Sequence, residues 1–223
     1  MKQEFEIEQL IPSSDQQTRN NPLKKMVYPL AALGGLFLVS TALMAGVVEA
    51  RVPCEPPCVP GTEAIMSKKE HGTSHTPVQE KLRWDCDRDT ADRICNFNRH
   101  YAEYAGYWKS TTFLDEIDQS GDEEVTFFDS NTGKPLFNAP KGRNWQQWIK
   151  ESTLHGWPSF RDDEVNWDVV RVLSDGETVS VDGTHLGHNI PDKNGNRYCI
   201  NLVSVAGYPK GSANNGEEEG TRR

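Results

Sequence analysis

The stretch VNWDVVRVLSDGETVSVDGTHLGHNIPDKNGNRYCINLVSVAGY, residues 165 to 208, decides the fold class. Within it, Val165 to Leu173, Thr178 to Val181 and Cys199 to Tyr208 are short runs rich in β-branched and aromatic residues, the composition of strands. SDGE at 174 to 177, DGT at 182 to 184 and KNGN at 193 to 196 separate them, and these residues favour tight turns and hairpins. Upstream, Glu124 to Phe128 and Lys134 to Phe137 repeat the pattern around SNTG at 130 to 133. Short strands divided by tight turns predict a mainly β domain of antiparallel sheets. One helix interrupts them, at Asn144 to Leu154, where Trp145, Trp148 and Ile149 share a face and read as core filling. Ahead of the strands, from Thr76 and Pro77 to Trp108, the residues Leu82, Cys86, Ile94, Phe97, Tyr101 and Tyr104 recur at partly helical spacing. One or two N-terminal helices are expected there, with Pro77 suited to a first turn.

Further out, the chain changes character. Residues 76 to 209 are the folded domain, residues 210 to 223 a Gly-, Asn- and Glu-rich disordered tail, and the proline-containing residues 49 to 75 a linker. Met26 to Val48 carries no charge, and as a helix it would span about 34 Å, enough for a hydrocarbon core of about 30 Å. It is expected to be a transmembrane segment following a polar cytoplasmic tail at 1 to 25. Arg19, Lys24 and Lys25 before it outweigh Arg51 after it, which places the domain on the non-cytoplasmic side. The alternative is a signal segment cleaved near Val48 to Ala50, releasing the domain to the outside or to an organelle lumen. A formal charge of −9 with no basic stripe argues against a nucleic-acid partner.

Five cysteines are present, an odd number. In an oxidising compartment Cys54 with Cys58 and Cys86 with Cys95 form two local pairs and leave Cys199 over. That residue opens a predicted strand beside Arg197, after a glycine-containing turn with His185 and His188. Cations lower a thiol pKa toward neutrality, and histidine hands over protons near pH 7. The set therefore suits thiolate chemistry on a substrate that must also be protonated. From residue type alone, Cys199 is equally readable as an inert core thiol, and His185 with His188 as two ligands of an incomplete metal site.

Three strings in order, GWPSF at 156 to 160, THLGH at 184 to 188 followed by Pro191 and Asp192, and RYCIN at 197 to 201, resemble those of the B-type methionine sulfoxide reductases. An earlier string, GKPLF at 133 to 137, also matches, so the resemblance covers roughly residues 110 to 208. It implies a β-tent-like fold and reduction of the R epimer of peptidyl or free methionine sulfoxide. By that resemblance Cys199 is the nucleophile, while His188 and His185 bind and protonate the sulfoxide oxygen with support from Asn201. Trp157 is the wall for the S-methyl group, and Phe160, Arg197 and Asp192 belong to substrate binding. Oxidised proteins are the implied substrates and a thioredoxin-like protein the implied reductant, with no bound cofactor. The competing reading is a non-catalytic binding module on the same scaffold.

The chain departs from the family in three places. The zinc-binding cysteine pairs of many members are replaced by Asp129 and Thr132 and by Val179 and Asp182, so no structural zinc is expected. His155 stands where the resolving cysteine is common. Cys95 or Cys86 is the candidate replacement, and direct reduction of a sulfenic acid by an external thiol is the alternative. Ile190 occupies a place where an aromatic is frequent.

Overall fold

The structure is a computed structural model that describes residues 54 to 212. The segments at 1 to 25 and 26 to 48, and the tail beyond Ser212, lie outside the described residues. Among those described, no helix is long and apolar enough to cross a membrane.

The chain is mainly antiparallel β-sheet. Strands β1 (Val125–Phe128) and β2 (Pro135–Ala139) form a hairpin. Five more strands, β3 (Ser159–Phe160), β4 (Val170–Val172), β5 (Glu177–Ser180), β6 (His185–Asn189) and β7 (Tyr198–Ile200), make one sheet in the order β3-β7-β6-β5-β4. Three short helices accompany them: α1 (Arg88–Asp92), α2 (Phe113–Ser120) and α3 (Trp145–His155). Asn144 caps α3 in a reciprocal box with Gln147, satisfying two otherwise free N–H groups. As the helical spacing implies, α3 turns Trp145 and Trp148 inward. Trp148 is fully buried, with its ring centroid 5.7 Å from those of Phe113 and Phe160 and 5.8 Å from that of Trp108.

Four expectations are corrected. The 54 to 75 segment is packed rather than a loose linker. Gly61 N–H donates to the Val172 carbonyl at 2.8 Å and Val172 N–H to Val59 at 3.1 Å, so this chain lengthens the β4 edge. Met66 is buried with Leu173 and Val179. Proline is compatible with an edge position because its missing N–H can face away from the ladder. In 76 to 108 a 3-10 turn at Arg83–Asp85 comes first and the α-helix begins only at Arg88, not near Pro77; there the Asp87 side chain caps it by accepting from Thr90 N–H at 2.8 Å. It gives way to a π turn at Arg93–Phe97, which leaves Phe97, Tyr101 and Tyr104 exposed. The strand expected from Val165 narrows to Val170–Val172, because Asn166 O accepts from both Val169 and Val170 and holds the preceding residues in a turn. The strand expected from Cys199 to Tyr208 ends at Ile200 and becomes a 3-10 turn at Leu202–Ser204.

Asp129 and Asp182 fasten two turns together. Asp129, fully buried, accepts from Asn131 N–H at 2.8 Å, from Thr132 N–H at 3.3 Å and from Thr184 Oγ1 at 3.0 Å. Lys134 pairs with Asp182 at 2.8 Å. A carboxylate and an ion pair thus tie the β1–β2 turn to the β5–β6 turn.

Candidate functional site

The site lies on β6 and β7 and on the chain entering β3. His188 is paired with Cys199 in the β6–β7 register, and Ser159 with Cys199 in β3–β7. Trp157, two residues before β3, is thereby brought beside Cys199. His185 and His188 are three apart, and strict alternation along a strand would send them to opposite faces. The β5–β6 register shifts between Thr178↔Gly187 and Val179↔His185, so Leu186 is an extra residue on β6. A bulge of this kind reverses parity and lets both imidazoles face one pocket, with ring centroids 5.5 Å apart. The segment expected as a glycine turn is therefore a bulged strand. Gly187 permits it, since a Cβ there would lie 2.0 Å from the Cys199 carbonyl oxygen.

The resulting cavity of about 350 Å³ is lined by Cys199, His185, His188, Gly187, Trp157, Asn201 and Ile190, together with Arg99, His100, Tyr101 and Ala102. The last four come from an N-terminal strap, residues 98 to 106, that precedes the resemblance and was read from the sequence only as part of a helical pattern, with no functional role. Two strap residues grip the site. Arg99 donates through Nε to both oxygens of Glu177, at 2.9 and 3.1 Å, and also pairs with Glu63. Glu177 in turn holds His185 Nδ1 at 2.7 Å. Burial pushes the Glu177 carboxyl up, but the hydrogen bonds from His185 and Arg99 overcome this and hold it below its ordinary value. An ionised Glu177 requires a proton on His185 Nδ1 and so orients the ring. The second strap residue, Glu103, accepts from the Trp157 indole Nε1 at 3.0 Å through its carbonyl.

Electrostatics correct the expectation of an acidic thiol. Burial raises the Cys199 pKa above its ordinary value, and Arg197 only opposes that rise. Burial, followed by the neighbouring His185, lowers His188, which leaves it a neutral imidazole at pH 7. His188 is thus a hydrogen-bonding group rather than a ready acid.

The other sequence-predicted residues divide. Asn201 lines the pocket, but its Nδ2 donates to Leu186 O at 3.1 Å and its Oδ1 accepts from Glu103 N–H at 3.2 Å, so most of its capacity is structural. Phe160 is fully buried and stacked on Phe137 at 4.4 Å; it belongs to the core and not to the pocket wall. Arg197 and Asp192 lie behind the wall. The Asp192 carboxyl is held at about 2 by its hydrogen bond from Arg161 and sits 4.0 Å from Arg197 Nε. Cys86 and Cys95 are free and buried, and neither lines the pocket. The expected bridge between them is absent: Cys95 Sγ donates to Ser204 Oγ at 3.5 Å, whereas Cys54 and Cys58 are disulfide-bonded as paired in the sequence. Glu151, His155 and Asp192 come close enough to share a cation, but Arg161 pairs with both carboxylates and would have to be displaced.

No protein-family model matches the chain, and no solved structure matches it.

Proposed function

We propose that this domain reduces methionine R-sulfoxide to methionine, with Cys199 as the sulfur that takes the oxygen. The observation that supports this reading most is the convergence of Cys199, His185, His188 and Trp157, scattered over 43 positions of sequence, on one pocket of about 350 Å³. An aromatic face, a thiol and two imidazoles are the surfaces that a methyl sulfoxide presents partners for: a methyl group, an electrophilic sulfur and a basic oxygen.

The proton balance needs no preformed thiolate. A thiol and a sulfoxide give a sulfenic acid and a thioether, so the S–O bond of the substrate breaks, a Cys199 S–O bond forms, and the thiol proton ends on the transferred oxygen. Neutral His188 suits that transfer, since it takes a proton on one side and returns it on the other. His185, held by Glu177, offers the second polar contact to the oxygen. An external thiol then condenses with the sulfenic acid, releasing water, and a second thiol frees Cys199 as a disulfide leaves. With Cys86 and Cys95 buried away from the pocket, this direct route is preferred to an internal resolving cysteine. A thioredoxin-like protein is the proposed reductant, oxidised proteins the proposed substrates and a β-tent-like arrangement the proposed fold type. The Cys54–Cys58 disulfide agrees with a domain facing an oxidising compartment, anchored or released by the apolar 26 to 48 segment.

The raised Cys199 pKa favours one rival, a binder of sulfoxide side chains without turnover. One experiment separates them. The full-length chain is given a mixture of both methionine sulfoxide epimers with dithiothreitol, and the epimers are resolved by chromatography. Loss of the R epimer alone, abolished by Cys199→Ser, is expected. Equal loss in wild type and Cys199→Ser removes the enzyme reading, and binding with no loss in either establishes the rival.

A further inference from the structure

Glu103 stands on the strap, outside the region that resembles the reductase family, yet it makes four hydrogen bonds to two segments of the site, Asn201 to Val203 and Trp157. Its N–H donates to Asn201 Oδ1 at 3.2 Å, and its carbonyl accepts from Trp157 Nε1 at 3.0 Å. Its carboxylate accepts from Leu202 N–H at 2.8 Å and from Val203 N–H at 3.1 Å, one on each oxygen. Those two N–H groups open the 3-10 turn that immediately follows the Cys199 strand and Asn201. A second tie lies next to it: Gly106 N–H donates to Gly156 O at 2.7 Å, directly before Trp157.

The side chain is an expensive choice for a structural staple. Glu103 is 3% exposed, and among the described residues the Leu202 and Val203 N–H groups are the partners that favour its charge. Burial accordingly pushes its pKa up to about 8. A buried carboxylate without a cation costs stability that a neutral amide or an apolar residue would not. What the carboxylate gains is direction: both oxygens are used, and the residue's backbone groups are then held where they meet Trp157 and Asn201.

We propose that Glu103 is a positioning residue of the sulfoxide pocket, setting the Trp157 wall and Asn201 relative to Cys199 through the strap. The inference rests on the reductase reading for its kinetics, but not for its geometry. Once ionised, above about pH 8, its negative charge also reaches the thiol and adds to the rise caused by burial. Cys199 is faced as well by Arg197 on its own strand and by His185 and His188 on β6, while Cys86 and Tyr107 face Glu103 from the strap side.

Two variants of the full-length chain separate charge from geometry. Glu103→Gln removes the charge and, because an amide nitrogen cannot accept, one of the two backbone N–H contacts; Glu103→Asp keeps the charge and both acceptors and shortens the arm by one methylene. The pH profile of Cys199 alkylation, located by mass spectrometry, and the KM for methionine R-sulfoxide are read for both. In Glu103→Gln the alkylation midpoint is expected to fall by about one pH unit, as for a charge removed from a partly shielded interior, and KM to rise about tenfold with kcat changed far less. In Glu103→Asp the alkylation profile is expected to stay at the wild-type position while KM rises. Wild-type profile and wild-type KM in both variants overturn the proposal, as does an Asp variant indistinguishable from wild type in KM. If wild type itself consumes no sulfoxide, the reductase reading falls, and the alkylation midpoint of Glu103→Gln alone then decides whether Glu103 acts on Cys199.

Discussion

Replacing Asp129 by Ala tests whether a buried carboxylate fastens the β1–β2 turn to the β5–β6 turn. Two short hydrogen bonds, from Asn131 N–H at 2.8 Å and Thr184 Oγ1 at 3.0 Å, lose their acceptor, and the longer one from Thr132 goes with them. Thr184 is fully buried and Asn131 nearly so, so water cannot readily replace the lost acceptor. Each orphaned donor costs about 1–3 kcal/mol. Relief from burying a carboxylate, whose pKa is raised by that burial, returns part of this, and the net loss is about 3 kcal/mol. Against a total of about 5–15 kcal/mol that is a large fraction. With a urea slope of about 2 kcal/mol per molar, the unfolding midpoint falls by about 1.5 M, read by circular dichroism. Thr184→Val removes one donor and leaves the two backbone contacts, so its midpoint falls by a third of that or less. An Asp129→Ala midpoint within about 0.3 M of wild type would refute the claim that this network ties the two turns together. The pH dependence has a definite sign. Because the folded-state pKa of Asp129 lies above its unfolded value, the proton-linked part of its contribution is present in full below the unfolded value and is lost as pH rises through the folded one, while the hydrogen bonds it accepts remain. Asp129→Asn should abolish that component of the stability curve, measured from pH 3 upward.

Arg197→Met removes the charge that opposes the rise of the Cys199 thiol, so iodoacetamide labelling of Cys199 at pH 8 should slow at least tenfold; an unchanged rate would show that Arg197 does not act on the thiol. The double variant Cys86→Ser with Cys95→Ser should retain sulfoxide turnover with dithiothreitol and leave no internal disulfide to Cys199, and a turnover-dead double variant that still folds would restore an internal resolving cysteine. Gly187→Ala forces a Cβ to within 2.0 Å of the Cys199 carbonyl, so it should destabilise by about 3 kcal/mol or more and open the β6–β7 pairing, detectable as faster amide exchange at Ile190 and Asn201, whose N–H groups donate across it to Arg197 O and Leu186 O. Protection at wild-type levels there would contradict the close approach. Glu177→Gln loosens the hold on His185 Nδ1 and should change kcat more than KM, and a change confined to KM would place His185 in binding alone.

Much of the architecture was legible because local chemistry specifies it. SNTG at 130 to 133 announces the β1–β2 hairpin, with Gly133 at a φ of +68°, and Asn144 ahead of Trp145 and Trp148 announces a capped helix with one apolar face. Where readings failed, a distant partner had overridden the local pattern. Cys199 to Tyr208 looks like one strand, but Glu103, almost a hundred positions away, captures the Leu202 and Val203 N–H groups and bends the chain into a turn. Residues 54 to 75 have the composition of a linker, and the open β4 edge, together with Asp92 and Asn96 further along the chain, gives them partners.

By itself, then, the sequence determined the residue types proposed to carry the chemistry and the order of the motifs that hold Cys199, His185, His188 and Trp157. Tertiary structure alone decided that a bulge at Leu186 turns both histidines to one side, that burial keeps the Cys199 thiol protonated, and that Cys86 and Cys95 are sealed away from it. The reason is physical. Turn and capping preferences act over a few residues, whereas strand parity, desolvation and the company of a charge depend on what the folded chain packs against.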